Sequence, residues 1–175
     1  MEKPTNGIPD MDFSIKIAWW PDKFIKWFFK KKKMAKTLIE IALAEYGTKE
    51  IEGSRHNMDI VNYAKESGFS WVNDDETPWC SIFLSWVSMK ANLERSKKAN
   101  ARSWLDVGKE VQRPEIGDIA ILWRENVNSW KGHVGIFINK ENGFVRILGG
   151  NQSDEVNISR YPESQVLKYK RLRAI

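Results

Sequence analysis

An α+β domain is what the order of patterns along this chain predicts. Helical spacing dominates from residue 34, short β-rich runs follow Pro114, and a tight hairpin turn, Glu141-Asn142-Gly143, joins two of those runs. Helices first and an antiparallel meander afterwards give that class.

The elements follow in order. Leu38, Ile41, Ala42 and Tyr46 recur at helical spacing, and Gly47 stops the helix. Residues 57–66 read as a second helix, with Ile60, Val61 and Ala64 inward and Gly68 after it. A polar loop over residues 73–78 leads into Trp79-Cys80-Ser81-Ile82-Phe83-Leu84-Ser85-Trp86-Val87, apolar enough for a buried helix. Residues 101–111 are expected to form one more short helix. Residues 118–123, 133–139, 144–148, 156–158 and 166–172 are the expected strands.

Ahead of this domain lies a segment of different texture. The chain has 175 residues, 28 basic and 23 acidic, a net charge of +5, and a pI near 9.2. Residues 1–36 hold nine Lys and four acidic residues, and residues 37–175 hold 19 of each sign. The excess therefore lies entirely in the first segment. A nucleic-acid-binding domain would carry a basic face on its folded body, so no nucleic-acid partner is expected. Residues 1–35 read as a basic, aromatic arm and residues 36–175 as the domain. Pro21 suits the first turn of a helix that places Phe24, Ile25, Trp27, Phe28 and Phe29 on one face, opposite Lys23, Lys26, Lys30 and Lys33. Such a helix would suit an anionic membrane surface, or pack on its own domain or on a partner protein, through residues 13–36. Lys16, Asp22, Lys23 and Lys26 interrupt the apolar stretch that a signal peptide or membrane span needs. The expectation is a protein made in the cytoplasm.

One cysteine and two histidines bound the chemistry. An intramolecular disulfide and a Cys-rich zinc module are excluded. Cys80 follows Thr77-Pro78-Trp79, where a helix is expected to begin, and a thiol there feels the positive end of the dipole, which favours the thiolate. In mid-helix it would be an inert small hydrophobe. His133 enters a strand between Gly132 and Gly135, which offers a fixed ring and room for substrate. His56 lies in a polar loop and reads as an exposed or capping residue. Asn151, in Leu148-Gly149-Gly150-Asn151-Gln152, ends the neighbouring strand, and there it either faces His133 as the ring's orienter or serves only a turn.

A helix-opening cysteine, a strand-borne histidine and a polar residue on the next strand resemble the layout of papain-like cysteine hydrolases. The chain looks like the NlpC-type and CHAP-like cell-wall cysteine hydrolases, in a branch common in phage and bacterial genomes. The stretches that carry the resemblance are residues 49–54, Glu76-Thr77-Pro78-Trp79-Cys80-Ser81, Ala101-Arg102-Ser103-Trp104, Pro114-Glu115-Ile116-Gly117-Asp118, Gly132-His133-Val134-Gly135, Leu148-Gly149-Gly150-Asn151-Gln152, Val156-Asn157-Ile158-Ser159 and Tyr161-Pro162. They span about residues 36–173.

The resemblance implies a papain-like α+β fold and hydrolysis of a peptidoglycan amide, in the stem peptide or at the muramoyl bond. It makes Cys80 the nucleophile, held as a thiolate, with His133 the base and Asn151 its orienter. The spacing from His133 to Asn151 is closer to the CHAP arrangement. Gly117-Asp118 would be structural, and Trp79, Gln152 and Glu52 are candidates for substrate contact, Trp79 being equally a core residue. No metal or cofactor is required. Such an enzyme would be a phage lysis enzyme or an antibacterial effector, reaching the wall after lysis or by dedicated secretion, and an effector would need an immunity protein in its producer. Two rivals keep the scaffold: an acyl hydrolase or transferase acting on lipid or protein, and a catalytically inactive wall-binding module.

Overall fold

The computed structural model describes residues 37–175. The basic arm and its expected helix from Pro21 lie outside the described residues. Three α-helices come first: α1 (Leu38–Ala44), α2 (Met58–Glu66) and α3 (Cys80–Lys90). Thr37 caps α1 with a reciprocal capping box to Glu40, a device that contributes about 1 kcal/mol. Asn57 caps α2. No side chain caps α3, whose N-cap residue is Trp79. Its first N–H groups are therefore left for another acceptor.

A two-turn 3₁₀ segment over Ala101–Asp106 leads into the sheet. The strands are β1 (Lys109–Val111), β2 (Ile119–Trp123), β3 (Gly132–Glu141), β4 (Phe144–Gly149), β5 (Asn157–Pro162) and β6 (Val166–Arg171). They pair antiparallel in the order β1-β6-β2-β3-β4-β5. The expected helix over residues 101–111 is corrected here: it stops at Asp106, and residues 109–111 form an edge strand. Gly108 is the reason. It has φ +75°, and a Cβ there would sit 2.7 Å from the Arg171 carbonyl oxygen, so only glycine lets the chain leave the helical turn and pair with β6.

Both faces of the sheet are buried. Ile119, Ile121, Val134, Ile136 and Leu148 pack with the helices. Ala120, Leu122, Phe137, Val145 and Ile147 form a second cluster with Tyr161, Val166 and Tyr169. This explains why β2 reads as an unbroken apolar run rather than an alternating one. Helix α3 is buried nearly all round, from Cys80 to Ser88, and two of its serines bond backbone: Ser81 Oγ donates to Lys98 O and Ser85 Oγ to Ser96 O. The structure is thus α+β, with helices packed on a six-stranded antiparallel sheet. Gly117-Asp118 is structural as expected. Asp118 accepts from the Glu115 N–H and takes a two-pronged ion pair from Arg171, tying the turn before β2 to β6. No helix among the described residues is long and apolar enough to cross a membrane.

Candidate active site

Cys80 is the first residue of α3 and is buried, and its sulfur lies against the backbone N–H of Val134. Val134 follows His133, so the helix start and the entry of β3 meet at this point. Two buried tryptophans brace this point. The Trp79 indole is 1% exposed and donates to Glu50 Oε1 at 2.7 Å. A Cβ on Gly150 would fall 2.2 Å from that indole, so the glycine pair before Asn151 exists to let the β4 end pass over Trp79. Trp104 donates to Ser81 Oγ at 2.8 Å, and Ser81 Oγ donates to Lys98 O. The Arg102-Ser103-Trp104 stretch therefore braces the residue beside the thiol.

His133 is 1% exposed. Its Nε2 lies 3.1 Å from Gln152 Oε1. The orientation of Gln152 follows from its own surroundings, because its amide nitrogen faces the carbonyl oxygens of Ile147, Gly149 and Asn157 and the Asn157 side-chain oxygen. That leaves Oε1, an acceptor only, toward the ring, and it also accepts from Tyr161 Oη at 3.0 Å. His133 must then carry its proton on Nε2, and Nδ1 presents a lone pair. The Tyr161 ring packs on the imidazole with centroids 5.4 Å apart. Burial pushes the Tyr161 hydroxyl above its ordinary range, keeping it a donor.

The expectation for Asn151 is corrected by this geometry. Its neighbour Gln152 makes the bond to the ring, and Asn151 has φ +56°. It occupies the left-handed region, which asparagine tolerates better than most residues. It turns the chain so that Gln152 points back between β4 and β5. The substrate-contact expectations for Trp79 and Gln152 change too. Trp79 and Gln152, at 1% and 2% exposure, are enclosed by protein, and Glu52 is exposed in its loop while Glu50 makes the indole contact. His56 is half-buried rather than exposed, and its Nδ1 meets the fully buried Asp75 carboxylate at 2.9 Å.

Electrostatics set the resting state of the pair. Burial pushes the Cys80 thiol up, against opposing contributions from the Arg124 charge and the N–H groups of Val134, Ser81 and Cys80. Burial and then Arg124 pull His133 down to about 4, although its bond to Gln152 works the other way. Burial thus opposes the thiolate that the helix start was expected to favour.

Sequence reasoning missed Arg124 and Tyr161 as members of this cluster. Arg124 Nη2 lies 3.4 Å from His133 Nδ1. Its only sequence signal is its place directly after β2, one residue past the register partner of Gly132. A cavity of about 200 Å³ opens from Cys80 past Pro78, Ala101, Arg124 and Trp130. Arg102 pins the loop that borders it, donating to Val127 O at 2.9 Å. Among the described residues, no three His, Cys, Asp or Glu side chains gather as a metal site.

No family model matches the sequence, and no curated protein matches it. Among solved structures, a Staphylococcus aureus protein described as similar to a lipoprotein of the NLP/P60 family aligns with a TM-score of 0.44 and 16% identity. The match covers 80% of this chain and 41% of that one. At that identity and TM-score the likeness carries no residue role across.

Proposed function

We propose that the protein is a cysteine hydrolase that cleaves an amide of peptidoglycan, in the stem peptide or at the muramoyl bond, through a thioester on Cys80. The observation that carries the chemistry is the enforced tautomer of His133. Gln152 Oε1 requires the proton on Nε2, which leaves Nδ1 as a base on a ring fixed by Tyr161.

The reaction starts from the neutral pair. His133 Nδ1 takes the proton of Cys80 as the sulfur attacks the amide carbonyl, forming the S–C bond. The open N–H groups at the start of α3, that of Cys80 first, offer donors to the oxyanion. The imidazolium, supported by Gln152 Oε1, returns its Nδ1 proton to the leaving amine as the C–N bond breaks. Water then gives a proton to Nδ1, attacks the thioester and releases the thiol. Asn157 holds Gln152 in place: its O and Oδ1 accept from Gln152 Nε2, its Nδ2 donates to the Gln152 backbone carbonyl at 2.8 Å, and Ser159 Oγ donates to the same Oδ1.

The peptidoglycan substrate rests on the sequence resemblance, and the experiment addresses both parts. Purified peptidoglycan is incubated with wild type and Cys80→Ala, and soluble products are identified by mass spectrometry. The expected result is release of stem-peptide or muramoyl-cleavage fragments by wild type and a loss of about 10⁴-fold or more in the variant. Equal release by both proteins would overturn the thioester chemistry. Turnover of lipid or protein acyl substrates with walls left intact would move the same chemistry to the other substrate class. Residues 1–35 are proposed as the delivery segment, and removing residues 1–33 should spare hydrolysis of soluble fragments.

A further inference from the structure

We infer that Arg124 is a substrate-recognition residue that selects acyl substrates bearing a carboxylate beside the scissile amide, an inference that rests on the hydrolase reading above. Arg124 lies on the route to the sulfur, since it shares the wall of the cavity with Cys80, Pro78, Ala101 and Trp130. That wall is mostly apolar, and Trp130 at its rim is 72% exposed. A cation against such a wall draws in an anion more strongly than one surrounded by water.

The charges around the cavity differ in their commitments. Lys131 also borders it but is ion-paired with Glu125. Arg102 is spent on the carbonyls of Val127 and Lys131. Arg124 is exposed, and no carboxylate among the described residues lies within ion-pair distance of it. Its side-chain bond is the long 3.4 Å contact to His133 Nδ1, a poor use of a guanidinium that can grip a carboxylate with two short bonds. A substrate carboxylate is the better acceptor. Taking it turns the guanidinium away from Nδ1, and that nitrogen is the one that must receive the Cys80 proton. Recognition of the acidic group and release of the base are then one movement, and a substrate without the carboxylate leaves the base occupied.

The test uses Cys80 itself, so it does not depend on knowing the wall bond. Iodoacetate and iodoacetamide each alkylate a thiol: the sulfur bonds to the CH₂ carbon, its proton passes to the base, and iodide leaves. They differ in that iodoacetate carries a carboxylate one carbon from the reacting atom. Rates for both reagents are measured by intact mass on the full chain, for wild type, Arg124→Gln and Arg124→Lys, with glutathione as the free-thiol reference. The iodoacetate-to-iodoacetamide ratio cancels any change in thiol acidity between variants. Wild type should exceed both glutathione and Arg124→Gln in this ratio by about fivefold at low salt, the scale of one close charge pair. Arg124→Lys should keep part of the gain, and 1 M salt should shrink it. A ratio equal in wild type and glutathione overturns the proposal even if Arg124→Gln fails to fold, and leaves the hydrolase reading standing if wall cleavage still needs Cys80. Failure of both reagents to reach Cys80 in the folded protein overturns the proposal and the hydrolase reading together.

Discussion

The two histidines occupy opposite kinds of surroundings. His133 is enclosed, its ring answered by a neutral amide oxygen and covered by a tyrosine. His56 is a third exposed and faces a carboxylate, Asp75, that is fully buried. At Asp75 burial alone would raise the carboxyl, but the N–H groups of Asn57 and Ile51 together with His56 outweigh it and hold the acid below its ordinary range. The partner therefore decides what each ring does. An amide oxygen fixes a tautomer on a ring that burial and Arg124 keep uncharged, whereas the carboxylate uses its ring as a structural clasp between the loop at residues 49–57 and the loop before α3.

The sharpest way to break this contrast is to remove each ring in turn. His133→Ala should lower kcat/KM by about 10²- to 10⁴-fold, whereas His56→Ala should leave it within about tenfold of wild type. Comparable losses in the two would mean that His56 takes part in the chemistry. Next in size is the clasp itself. Asp75→Ala leaves two backbone N–H groups and a ring without their acceptor, and chemical denaturation should show a loss of about 2–4 kcal/mol. A loss below 0.5 kcal/mol, roughly the level of an ordinary surface change, would contradict the clasp.

A swap sharpens the comparison further. Gln152→Glu gives His133 the kind of partner His56 has. The acid limb of the pH–rate profile, which should rise through about pH 4 in wild type, should move upward in the variant, with some loss of stability because a carboxylate cannot donate to the Ile147 and Gly149 carbonyls. An unmoved limb would show that Gln152 does not set the acidity of His133. In wild type the profile should stay flat through neutrality, since the buried thiol is pushed up rather than down.

The smallest effect is on stability against pH. Folding lowers the His133 value from 6.5 to about 4. The unfolded chain then binds more protons between those limits, so stability is whole above about pH 6.5 and falls as pH drops toward 4. In His133→Gln that part of the acid loss should vanish, read as the difference between the two proteins' denaturation midpoints across the range.

Much of the frame was legible because it rests on local patterns. The 2.0 and 3.6 residue periods placed the three helices and the main strands, and Glu141-Asn142-Gly143 marked its hairpin, with Asn142 and Gly143 both at positive φ. The edge strand at 109–111 was not legible, since only its pairing with β6 separates it from the preceding helical turn. The site divides in the same way. Cys80 at a helix start and His133 at a strand start follow from element boundaries. Choosing Gln152 over Asn151 does not, because adjacent residues point in different directions and a left-handed backbone at Asn151 decides which one faces the ring. Trp79 beside the cysteine is core for a similar reason: Gly150, 71 positions later, gives it room.

By itself the sequence determined that a neutral α+β domain follows a basic arm, and that its chemistry has one thiol and two imidazoles to draw on. Only the tertiary structure decided which imidazole is enclosed, which amide holds it and which arginine stands at the cavity. Those outcomes depend on desolvation and on distances of about 3 Å between side chains of neighbouring strands, quantities that composition and periodicity do not contain.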